Sequence, residues 1–299
     1  MTLTVSELVG AAGGGALGAA LGAIGAFSLM GVIVVVATLM TAISPDAELV
    51  QNLAFGPVFG PHVMFAGGAA AAAYAAHIRR HESGRDIAKP LITYDAMSII
   101  GVGAGFGVVG QLLARAVEQL PTWHASDGSE VALVDSLAVS VVLTALIAAV
   151  LWARTPAPVR LEWLPWQHRL SSVLVVGAAG GAIAGSVFLA WPQDSRPMVG
   201  LFLYGASAVT LLALVFGAAV PVTHHITLPA ALAAGVAAAH TGESTWILVS
   251  AVLTGIVSSL VAEGWARLIL ERCRIHLDPP AFAIAVMATL LALIKIGVA

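Results

Sequence analysis

Ten apolar runs divide this chain, and their lengths limit the folds open to it more than any other feature. They lie at about 7–25, 27–44, 55–77, 95–117 and 131–153, then 171–190, 198–220, 226–240, 246–270 and 279–297. A helix crosses a bilayer with about 17–25 residues, a length most of the runs reach. In hydrocarbon every backbone N–H and C=O must be satisfied within the protein, so runs of this length become helices. The composition agrees: 59% of residues are hydrophobic and 10% charged, against about 25% charged in soluble domains, and the mean hydropathy is +0.97. The expected class is an all-α polytopic membrane protein embedded in a lipid bilayer.

Other classes fall away on charge and cysteine content. The net charge of −3, with no run of like charge, excludes nucleic acid as a partner. One cysteine, Cys273, gives neither a disulfide framework nor a multi-cysteine metal site within the chain. No cofactor motif is present. The start MTLTVSELVG lacks the basic region of a cleavable signal, so the first apolar run is expected to stay in the mature protein.

The runs fall into two sets of five that match in order. VGAAGG occurs at Val9–Gly14 and at Val176–Gly181, and LMGV at Leu29–Val32 faces MVGL at Met198–Leu201. His62 and His77 fall on His225 and His240 with one shift, and QLLAR at Gln111–Arg115 falls on EGWAR at Glu263–Arg267. Asp135 falls on Asp278 in the last pair. The expected organisation is a first repeat at 1–153, a linker at 154–170 rich in Pro, Trp and Arg, and a second repeat at 171–299. Five spans per repeat turn the halves over relative to each other. Basic residues gather in three connections, around Arg79–Lys89, Arg154–Arg169 and Arg272–Arg274, while Asp46, Glu48, Asp127, Glu130 and Glu243 lie in the others. The positive-inside rule then makes the Arg-rich loops cytoplasmic and puts both termini outside. Trp123, Trp152, Trp191 and Trp246 fall at predicted span ends, as an interfacial aromatic belt requires.

The third segment of each half carries the candidate site. Gly60-Pro61-His62 precedes an Ala-rich run ending at His77, while Pro221, Thr223-His224-His225 and Pro229 interrupt the run ending at His240. Each histidine-to-histidine stretch of 16 residues is about 24 Å long, too short to span. Paired broken segments of this kind point to a binding site at the midplane of a repeated transporter, with helix N-termini turned toward the solute. Candidate solute ligands are Pro61, His62, Thr223, His224, His225 and Thr227. His62 and His225 also titrate near neutral pH and are candidates for proton exchange. Metal binding by the adjacent His224 and His225 is the weaker reading, because neighbours on a helix diverge.

Four further residues are candidates for coupling. Asp135 and Asp278 open the fifth segment of each half, and Asp278 before two prolines has the form of a helix N-cap, the simpler role for both. Glu263 and its counterpart Gln111 each stand four residues before an arginine, Arg267 and Arg115, a spacing that permits a local pair. Glycines four apart, Gly10, Gly14, Gly18 and Gly177, Gly181, Gly185, read as helix-contact faces, compatible also with a homo-oligomer.

Two inverted five-segment halves, each with a short broken helix, resemble the layout of urea transporters. The Asn-Asn-Pro start of that family's repeat has no counterpart here, so the resemblance implies an architecture and carries over no site residue. The function expected is a transporter or channel for a small polar or anionic solute. The alternatives are an intramembrane enzyme using His224, His225 and Asp278 or Glu263, and a structural membrane subunit.

Overall fold

A computed structural model describes residues 3–43, 48–125, 128–153 and 162–297. Among the described residues the protein is all-α apart from one short hairpin. The first half contains α1 (Val5–Leu21), α2 (Ala23–Ile43), α3 (Met64–His77), α4 (Met97–Val117) and α5 (Ser136–Trp152). The second contains α6 (Leu170–Ala190), α7 (Val199–Thr210), α8 (Leu212–Val215), α9 (His224–His240), α10 (Ser244–Leu268) and α11 (Pro279–Gly297). Six stretches are long and apolar enough to cross a membrane: Ala23–Thr41, Met97–Val117, Leu170–Ala190, Gln193–Val215, Ser244–Arg272 and Pro279–Gly297. Val5–Leu21 and Ser136–Trp152 are apolar but shorter. Large apolar side chains point outward, Val5 and Val150 among them at 77% and 78% exposure, a surface suited to lipid and costly in water.

Local chemistry sets the helix ends. Thr4 and Glu7 form a capping box at the start of α1. The apolar joint between α1 and α2 breaks at Gly22 alone, where φ is +79° and a Cβ would lie 2.7 Å from the Lys89 carbonyl; glycine is the residue that tolerates both. At the matching place in the second half, α6 stops at Trp191-Pro192, and Arg196 donates to the Leu189 and Trp191 carbonyls that the helix leaves open. The sequence pattern did not anticipate the antiparallel hairpin of β1 (Thr122–His124) and β2 (Glu130–Ala132); it delays α5 to Ser136. Asp46, Asp127, Arg154 and Arg160, with the linker before Glu162, lie outside the described residues.

Helix packing repeats between the halves. In the first, α1, α3 and α4 pack on one another, α5 on α3 and α4, and α2 on α3. In the second, α6, α9 and α10 pack on one another, α11 on α9 and α10, and α7 on α9. Across the halves α2 meets α7, where Gly31 and Gly205 each approach the other's carbonyl, and α5 meets α11. Small residues permit these approaches. Gly15 lies against Gly103 and Gly107, Gly18 against the Met64 carbonyl, and Gly181 against Ala251 and Gly255. The glycine faces expected from their spacing thus contact helices of the same chain.

This packing corrects two sequence matches. Gly107 sits on Ala11 and Gly15 as Gly255 sits on Gly177 and Gly181. Gln111 therefore corresponds to Ser259 and Arg115 to Glu263, one helical turn from the match of Gln111 with Glu263. In the same frame Gly15 matches Gly181, so the VGAAGG pairing is displaced by one residue. Runs of Ala and Gly look alike at several registers, and only the contacts distinguish them.

Candidate functional site

The two short helices bring their first residues to one cavity of about 1310 Å³. Its wall includes Pro61, His62, His224 and His225 from those starts, Asp135 and Asp278 from the starts of α5 and α11, and Gln111 and Glu263 from α4 and α10. Thr223 and Thr227 are not among its lining residues. Thr227 instead packs between helices, its Oγ1 3.2 Å from Ser207 Oγ and 3.3 Å from the Thr223 carbonyl. Thr223 takes the N-cap position of α9 without a side-chain cap bond.

Both histidine turns are irregular at the same atom. α9 begins at His224 and continues through Pro229, so this proline lies inside the helix and does not mark its start. Pro229 has no N–H for the His225 carbonyl four residues earlier; Ser258 Oγ donates to that carbonyl instead. In the first half the Ala66 N–H reaches past His62 to the Pro61 carbonyl, 3.0 Å away. The His62 carbonyl is left facing the Cα of Gly110, which occupies the place of Ser258. Each broken helix thus directs one histidine carbonyl sideways onto its neighbour, α4 or α10.

The side chains differ between the halves. His62, 1% exposed, donates from Nε2 to Gln111 Oε1 at 2.7 Å. His224 and His225 are 5% and 6% exposed, and their rings make no hydrogen bond to any described residue. His224 lies in an aromatic group, with ring centroids 4.8 Å from Phe27 and 5.4 Å from Tyr204. The acids take the cap role: Asp135 Oδ1 accepts from the Ala138 N–H and Asp278 Oδ2 from the Ala281 N–H, each at 2.8 Å. Prolines 279 and 280 fit the first turn of α11, whose N–H groups have no helical partner. His276 adds a second contact to Asp278, its Nε2 2.9 Å from Oδ1. Trp265, stacked on Phe282 and donating to the Leu277 carbonyl, fixes this segment.

Neither Glu263 with Arg267 nor Gln111 with Arg115 forms the local pair that the spacing permits. Arg115 turns to Glu7 and Glu118, 2.6 and 2.8 Å away. Glu263, 4% exposed, accepts the backbone N–H of Gln167 at 2.7 Å. Arg267 instead donates to the Leu164 carbonyl and lies 3.8 Å over the Trp166 ring. Arg272 donates to the Trp163 carbonyl. Residues 163–168 therefore form a strap held to the end of α10, and Gln167 and His168 line the cavity. Sequence reasoning missed Tyr204, Ser258 and His276. Only His276, two residues before Asp278, had a local signal.

No curated protein and no solved structure matches the chain. The model of a family of unknown function (DUF7973) matches residues 1–155 and 156–298, and the chain belongs to that family.

Proposed function

We propose that this protein is a membrane transporter or channel for a small polar solute, which binds in the cavity between the starts of α3 and α9. The observation that carries the reading is the convergence in one cavity wall of both histidine turns and both acid caps, from the two halves of the chain. His224 and His225 support it: their buried rings have no hydrogen-bond partner among the described residues, and such polar groups cost free energy unless a ligand or water satisfies them. An inverted pair of five-segment repeats is supported by the matching helix contacts and by the family match dividing near residue 155. A pseudo-two-fold axis would bring α2 onto its counterpart α7 and α5 onto α11, the contacts found between the halves. In this arrangement the basic loops face the cytoplasm and both termini the outside. Of the polar and anionic solutes that the sequence left open, the polar class suits a wall with more carboxylates than guanidiniums.

Reconstituted flux tests the reading. Liposomes containing the protein should take up a small polar solute from a panel of amides, amino compounds and salts. His62→Ala and His225→Ala should each lower that flux by about tenfold or more. Equal flux in wild type and both variants would refute the site.

A further inference from the structure

The sign of the solute's charge follows from the partners of the charged residues around the cavity. Among the described lining residues, counting histidines as neutral, six carry carboxylates: Glu7, Asp86, Glu118, Asp135, Glu263 and Asp278. Two carry guanidiniums, Arg85 and Arg115, and both are committed. Arg115 holds Glu7 and Glu118, while Arg85 lies 2.7 Å from Glu271. Glu263 is occupied by the Gln167 N–H and Asp278 by His276 and the Ala281 N–H. Asp135, like Glu263, has only backbone partners among the described residues, and it alone of the two is the counterpart of Asp278 in the wall that holds the histidine turns. It is held by backbone N–H groups at the start of α5, and no side chain among the described residues pairs with it. Where Asp278 has His276 two residues before it, Asp135 has Leu133.

A second observation points to a ligand in the same wall. The rings of His224 and His225, more than nine-tenths buried, have no hydrogen-bond partner among the described residues, and a neutral imidazole nitrogen accepts from an N–H donor. Phe27, Phe55 and Tyr204 also line the cavity, and aromatic faces attract cations. We propose, building on the transport reading, that the cavity binds a small solute bearing positive charge, an ammonium group or an alkali cation, with Asp135 as its counter-charge. A bare anion would instead enter a wall whose unpaired fixed charge is negative.

Asp135→Asn is the informative variant, because an asparagine amide still caps a helix while the charge is removed. Thermal unfolding of the purified full chain is followed with methylammonium, sodium or acetate, at constant ionic strength set by a bulky ion pair. Methylammonium or sodium should raise the midpoint of the wild type, and which of them does so identifies the source of the charge. In Asp135→Asn the half-maximal concentration should rise by at least about tenfold, with the unliganded midpoint within about 2 °C of wild type. Protection by acetate alone, no protection by either cation, or protection undiminished in Asp135→Asn would overturn the proposal. The two readings fail separately: acetate flux would end the cationic assignment and leave transport standing, whereas cation protection without flux of that cation would do the reverse.

Discussion

Two histidine carbonyls show how single residues shape the cavity. Pro229 denies the His225 carbonyl its helical donor, and Ser258 supplies a hydroxyl in its place. Ser258→Ala should therefore cost about 1–3 kcal/mol, the penalty of an unsatisfied buried acceptor. In a Pro229→Ala background, where an N–H is restored, the cost should shrink; a double-mutant cycle from denaturation in detergent measures the coupling. At the equivalent place in the first half there is no room for a side chain, since a Cβ on Gly110 would overlap the His62 carbonyl. Gly110→Ala should lose more than about 3 kcal/mol or fail to fold. Gly13→Ala, with open space around it, should be neutral or gain up to about 1 kcal/mol. Thermal midpoints of the two purified variants check the contrast.

At the scale of elements, the strap at residues 163–168 is held by Glu263 and Arg267 of α10 and by Arg272 just beyond its end. Glu263→Ala should release it. A cysteine placed at Gln167, in a chain whose Cys273 is changed to Ser, should then react several-fold faster with a water-soluble maleimide. Because length and apolarity are local properties, hydropathy and proline located each α-helix longer than one turn among the described residues, though not the 3-10 helix at Gln193–Met198; α3 and α9 end at His77 and His240, as the repeated histidines suggested. The start of α9 was less legible. Proline usually ends a helix, and the compensating hydroxyl of Ser258 is distant in sequence. The same reason hid the partners of Glu263 and Arg115. Spacing on one helix permitted local pairs with Arg267 and Arg115, but the strap takes Glu263, and Arg115 goes to Glu7 on α1 and to Glu118. Thr227 looked like a ligand because it follows the histidines, yet its side chain packs toward Ser207 on α7.

For the whole molecule, the distribution of charge makes a prediction about orientation. Single cysteines in the loops near Arg80 and Gln167 should label only from the cytoplasmic side, and those near His124 and Glu243 only from outside. Labelling of intact cells against inverted vesicles decides it, and opposite sidedness of the Arg80 and Gln167 loops would refute the inverted arrangement. The glycine contacts within each half also bear on how such a molecule deforms. α1 touches α3 and α4 backbone to backbone at Gly15, Gly18 and Gly67, and α6 touches α10 in the same way at Gly177, Gly181 and Gly255, whereas α9 meets α6 through the side chains of Ile226 and Phe188. Those helix pairs are consequently stiff against sliding, as two gears meshed to the root of their teeth are stiff against slip. The α2–α7 seam is meshed in the same way at Gly31 and Gly205, so compliance between the halves is left to the seam where α5 meets α11, which carries no glycine contact among the described residues.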